Sequence, residues 1–97
     1  MWILRGSDAD GSPTFRLSNG MSKTVGRAPL ADLKLDAALV SRFHCRITAN
    51  HEVLKVEDLS STNGTFVNGQ RVESKQLADG DRLRIGRVEL TVEMVLN

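Results

Sequence analysis

The sequence predicts an all-β fold, an antiparallel β-sandwich of about ten short strands with its connecting loops gathered at the ends of two sheets. Three observations carry this. Apolar and polar residues alternate with period two, most clearly in "FHCRITA" and "VELTVEM". Turn signals recur at close spacing, at Ser18-Asn19-Gly20, Asn50-His51, Asn68-Gly69 and Ala78-Asp79-Gly80. The single stretch with helical spacing, "PLADLKLDAALV", is short and punctuated by Pro29 and Asp36, so it reads as a loop with one brief strand.

The elements follow in order. Trp2 and Leu4 alternate with Ile3 and Arg5 in an opening strand, and a turn-rich "SDADGSP" follows. Phe15 and Leu17 flank Arg16 in a second strand. "SKTVG" ends at Gly26, "RAPLAD" is a loop, and "LKL" is brief. In "FHCRITA" the spacing puts Phe43, Cys45, Ile47 and Ala49 on one face and His44, Arg46 and Thr48 on the other. "EVLKVED" returns from the Asn50-His51 turn. "TFV" and "RV" straddle Asn68-Gly69, a strong hairpin signal. "DRLRIG" puts Leu83 and Ile85 together, and the last strand turns Val88, Leu90, Val92 and Met94 inward.

Composition narrows the function. The chain has 97 residues, enough for one domain with a modest core, and residues 1–97 are expected to be a single domain of a longer protein. With 13 basic and 12 acidic residues the net charge is +1, which argues against a general nucleic-acid binder, so any anion site must be local. The one cysteine, Cys45, allows no intrachain disulfide and points to a reducing interior. Three apolar residues after Met1 precede the charge of Arg5, too few for a signal peptide or a membrane span.

Three clusters sit at loop–strand junctions: Gly26-Arg27, Ser41-Arg42-Phe43-His44, and "STNGT" from Ser61 to Thr65. One end of a sandwich can bring them together. Arg27 offers a planar fork of donors that suits a phosphate and keeps its charge. Ser41 and Thr62 supply hydroxyls, and Arg42 a second charge. Asn63 carries both a donor and an acceptor, as a grip on a peptide backbone requires. Gly64 permits a tight turn beside it. Asp58 is expected to accept hydrogen bonds from the loop it introduces. Asn68-Gly69 only reverses the chain; Asn63-Gly64 shapes an anion site with a peptide clamp.

In this order and spacing, "GR", "SRFH", "DLSSTNGTFVNG" and "LADGDRLRIG" resemble the forkhead-associated (FHA) domain family, over nearly the whole chain from about Val25. The resemblance implies a sandwich of about eleven strands that binds phosphothreonine peptides through loops at one end. By position it makes Arg27, Ser41, Arg42 and Thr62 phosphate-binding and Asn63 the backbone clamp. Gly26, His44 and Gly64 would brace the site. Leu39, Val40, Gly86 and Arg87 would read the third residue after the phosphothreonine; Leu39 favours an apolar residue there and Arg87 an acidic one, with a lean to acidic. The partner expected is a phosphothreonine-containing protein or peptide, bound by a monomeric domain, with no cofactor, metal, direct nucleic acid or membrane. The opening "MW" is similar to the start of nibrin-type DNA-repair proteins, which leans the expected location to the nucleus over the cytoplasm.

Other classes fit less well. Ser41, His44 and Asp58 are the residue types of a hydrolytic triad, but Ser41 and His44 sit three apart at a strand entrance, where period two sends them to opposite faces, and no nucleophile elbow is present. Two histidines and one cysteine show no metal-ligand spacing. Two binding alternatives remain open: a phosphate-independent assembly module, and a switch that docks on a phosphothreonine in the same protein.

Overall fold

The computed structural model describes residues 1–6 and 13–96. It has eleven strands: β1 (Trp2–Arg5), β2 (Thr14–Leu17), β3 (Ser22–Gly26), β4 (Leu33–Lys34), β5 (Cys45–Ala49), β6 (Leu54–Asp58), β7 (Thr65–Val67), β8 (Gln70–Val72), β9 (Ser74–Leu77), β10 (Arg82–Ile85) and β11 (Val88–Met94). They form a six-stranded sheet in the order β2-β1-β11-β10-β7-β8 and a five-stranded sheet in the order β4-β3-β5-β6-β9. Every pairing is antiparallel except β3 with β4, which is parallel. The described residues contain no helix, and so none long and apolar enough to cross a membrane. The turn-rich stretch 7–12 lies outside the described residues.

The core follows from the alternation. Cys45, Ile47 and Ala49 of β5, Leu54 and Val56 of β6, Leu83 and Ile85 of β10, and Val88, Leu90 and Val92 of β11 are buried in one cluster. Their strand neighbours Arg46, Lys55, Arg84 and Glu89 face solvent. Burial removes Cys45 from chemistry: desolvation, with Asp58 adding to it, pushes its thiol far above the usual range.

Two residues leave the expected inner face. Phe43 is 42% exposed and precedes β5, because the backbone turns at Ser41–Phe43 before extended geometry begins at Cys45. Met94 ends β11 and is 38% exposed. β9 carries only one buried side chain, Leu77, and owes its place to backbone pairing with β6, from Leu54↔Leu77 to Glu57↔Ser74. The β7–β8 hairpin turns through Asn68 at φ 50° and Gly69 at φ 85°; two successive positive values are the type I′ signature that matches strand twist.

Register fixes two poles. Val25, Cys45 and Asp58 lie side by side in one sheet, and Thr65 pairs with Ile85 in the other. The loops that leave these positions therefore share one pole. At the other, the Val95 N–H donates to the Met1 carbonyl at 2.8 Å, and the Met1 ammonium donates to the Val95 carbonyl at 3.3 Å.

Candidate functional site

The loop pole joins all three sequence clusters. Arg27 follows the end of β3, Ser41–Phe43 lead into His44 and β5, and Ser61–Gly64 connect β6 to β7. Backbone bonds knit the first two. The Arg27 N–H donates to the Ser41 carbonyl and the Ala28 N–H to the Arg42 carbonyl, both at 3.0 Å, while the His44 N–H donates to the Val25 carbonyl at 2.7 Å. Gly26 makes this approach possible. A Cβ there would lie 2.0 Å from the Arg42 carbonyl oxygen, so no larger residue fits without moving the backbone.

His44 is fully buried and ties the second cluster to the third. Its Nδ1 accepts from the Ser41 N–H at 3.1 Å. Its Nε2 lies 2.8 Å from the Gly64 carbonyl oxygen, which can only accept. The ring therefore carries its proton on Nε2. It holds loops twenty residues apart in register and has no freedom left for ligand, in keeping with a bracing position.

A second brace is Asp58. Its Oδ1 accepts from Ser61 Oγ at 2.6 Å and Thr65 Oγ1 at 2.7 Å, and its Oδ2 from the Ser61 N–H at 3.1 Å. Ser61 Oγ also accepts from the Gly64 N–H at 3.0 Å. Partial burial pushes the Asp58 carboxyl up, but the bonds from Ser61 and Thr65 outweigh it and hold the group below its ordinary value. A lowered folded-state value means that this carboxylate stabilises the fold above its unfolded value, about 4. That stability is lost as pH falls from there through the folded value. Asp58→Asn should cost about 1–3 kcal/mol at neutral pH, because an amide has one acceptor oxygen for the three donors that the two carboxylate oxygens now take. It should also flatten the loss of stability below about pH 4. Urea unfolding at stepped pH reads both; an unchanged acid limb in the variant would remove Asp58 from this role.

The remaining donors face outward. Arg27 is exposed, and its Nε donates to the Val40 carbonyl, which orients the guanidinium and leaves its terminal nitrogens free of protein partners among the described residues. Ser41 Oγ accepts from the Thr62 N–H at 3.1 Å, so the loops touch and the hydroxyl keeps its own proton to donate. Asn63 is exposed; its Nδ2 donates to the Leu39 carbonyl at 3.2 Å, leaving Oδ1 to accept. The Thr62 and Arg42 side chains are exposed beside them. The local chemistry is a cluster of outward-facing donors with one amide beside it.

The four candidate specificity residues divide. Leu39 is 45% exposed, held at φ 69° between Asn63 and the β10–β11 turn. Gly86 sits against it: a Cβ there would lie 2.9 Å from both the Ala38 carbonyl oxygen and the Leu39 carbonyl carbon. Arg87 is exposed. Val40 is 2% exposed and belongs to the core, so only its backbone reaches the site. Sequence reasoning sets Ser61 in the third cluster but gives it no role; the residue is buried and shapes the loop from within. It does not single out Arg71, whose Nε lies 2.8 Å from where a Cβ on Gly64 would sit. The "SST" run gives no sign of which hydroxyl turns in, and Arg71 reaches the loop only through the hairpin.

Comparison with known proteins points to the same family. The family model described as "FHA domain" matches residues 23–86. FhaA, an FHA domain-containing protein of Mycobacterium tuberculosis, is 44% identical over 86 residues, 88% of this chain and 16% of that protein. The glycogen accumulation regulator GarA of the same species is 40% identical over 88 residues, 91% of this chain and 52% of that protein. The chain thus spans about half or less of these relatives. A solved structure from a structural and functional analysis of phosphothreonine-dependent FHA domain interactions superposes with a TM-score of 0.88 at 40% identity, covering 99% of this chain and 98% of its own.

Proposed function

This chain belongs to the FHA domain family, and on that premise we propose that it is a binding module that recognises phosphothreonine in a partner protein and recruits that partner in kinase-dependent signalling. The observation that supports this most directly is the set of unspent donors at one pole: the Arg27 guanidinium, the Ser41 hydroxyl and the Thr62 hydroxyl, with the Asn63 amide beside them. A phosphate brings about −1.5 to −2 charges and three acceptor oxygens, which suits this set. Arg27 and Ser41 take the phosphate, with Thr62 and Arg42 at its edge. Asn63 Oδ1 accepts from the peptide backbone. His44, Gly26 and Gly64 hold the loops, and Leu39, Gly86 and Arg87 form the rim that meets residues after the phosphothreonine.

The module carries out no reaction of its own. Residues 1–97 act as one domain, since both sheets share one core, and it serves within a longer protein as the matched region does in its relatives. The relatives named above are bacterial, which favours a bacterial setting and lends nothing to a nuclear, DNA-repair one.

Calorimetric titration with a degenerate phosphothreonine peptide pool and its unphosphorylated twin tests the reading. Two charge-assisted bonds predict binding at least about 100-fold weaker without the phosphate. Equal affinity for both pools would reject phosphate recognition and favour an assembly module.

A further inference from the structure

One face outside the loop pole carries charge that the site does not use. Leu83 and Ile85 turn into the core, so Arg82 and Arg84 of β10 point outward from the six-stranded sheet. Arg84 pairs across strands with Phe66, and Phe66 with Arg71, giving a row of three residues on one face, with the Arg71 guanidinium lying over Gly64. The Arg84 guanidinium carbon lies 4.1 Å from the centre of the Phe66 ring. Such stacking holds a guanidinium flat and leaves its edge donors for a ligand. Arg71 and Arg84 have no carboxylate partner among the described residues, and Arg82 meets only Glu89, at 3.7 Å in an exposed pair. Beside the row, Asn68, Gly69, Arg82, Arg84 and Glu89 line an open depression of about 430 Å³.

Position gives this face its meaning. Phe66 stands three residues after Asn63, and Arg84 two before Gly86. The row begins one residue from the pole, at the strand ends that carry the candidate clamp and rim. At about 3.3 Å per strand residue, a chain leaving the clamp reaches it within a few residues.

We propose that the Arg71–Phe66–Arg84 row and Arg82 form a second docking surface for an acidic segment of the partner whose phosphothreonine occupies the loop pole. The inference rests on the phosphothreonine reading for its anchor. Charge complementarity and continuity with the clamp select the occupant: an extended stretch rich in Asp and Glu, laid down the outer face of β7 and β10. Binding of the phosphate raises the local concentration of the acidic stretch, so individually weak exposed pairs add to affinity.

The test uses three peptides: a short phosphothreonine peptide, the same peptide joined to a flexible linker and an acidic stretch, and the acidic-tailed peptide without phosphate. The tail is placed on either side of the phosphothreonine in turn. The proteins are the unaltered domain, Arg82→Gln/Arg84→Gln, and a control with the same charge change on the opposite face, Arg46→Gln/Lys55→Gln. Titration by fluorescence anisotropy at low salt should show about tenfold tighter binding of one tailed phosphopeptide over the short one. Arg82→Gln/Arg84→Gln should erase that gain and leave the short peptide unchanged, while the control keeps it; raised salt should shrink it. Equal affinity of tailed and short peptides in the unaltered domain, or an equal loss in both variants, overturns the proposal. Should no phosphopeptide bind, the phosphothreonine reading fails. The tailed peptide without phosphate then decides the surface: binding lost in Arg82→Gln/Arg84→Gln supports it, and no binding overturns it.

Discussion

Arg27→Ala should abolish useful phosphopeptide binding while the domain stays folded. The side chain has two jobs. Its Nε bond to the Val40 carbonyl points the guanidinium, and under the proposed function the terminal nitrogens take the phosphate. Losing two charge-assisted bonds, each contributing about 1.5–3 kcal/mol, weakens binding by at least about 100-fold. The backbone bonds of Arg27 and Ala28 to Ser41 and Arg42 do not depend on the side chain, so the loops should persist. Arg27→Lys should fall between the two, since an ammonium keeps the charge and gives up the fork. Titration with a phosphothreonine peptide measures the loss, and thermal denaturation checks the fold. A variant that melts normally and binds as well as the unaltered domain would end the assignment of Arg27 to phosphate.

Gly26→Ala should do the opposite, striking stability first. The added Cβ would meet the Arg42 carbonyl oxygen at 2.0 Å and its carbon at 2.6 Å, both backbone. Relief requires parting β3 from the chain ahead of β5. That movement would lengthen the bonds at Arg27, Ala28 and His44 together. Overpacking against backbone, with a broken network behind it, should cost about 3 kcal/mol or more. For a domain of this size that lowers the melting temperature by roughly 12–24 °C. A shift under about 4 °C would mean that the junction is far softer than its contacts imply.

The same residues show what a sequence can disclose. Strands β5 and β11 were legible because one sheet face is buried and a period of two leaves little choice of register. β9 was not, because Ser74, Lys75 and Gln76 all face solvent and its pairing is written in the backbone. Running the alternation of β5 back through His44 puts Phe43 inside, but it crosses a point where the chain is not extended. At the loop pole, charge and amide chemistry singled out Arg27 and Asn63, and the structure sets both there with donors or acceptors to spare. The bracing of the loops was less legible. Ser61 and Thr62 look alike in sequence, yet one is buried on Asp58 and the other exposed. The positive φ of Leu39 has no residue-type signal at all, since a branched side chain rarely adopts it.

The paired ends of the chain have a consequence for how such a module can be carried. Met1 and Val95 share two hydrogen bonds at the pole opposite the loops. Flanking polypeptide on either side therefore leaves from one spot, away from the loop pole. A domain of this form can be spliced into a surface loop of a host protein at small entropic cost, because its entry and exit are already adjacent. Equally, a short linker could close Met1 to Val95 and the chain be reopened at the exposed Ala78–Gly80 turn, giving a circular permutant with the loop pole unaltered.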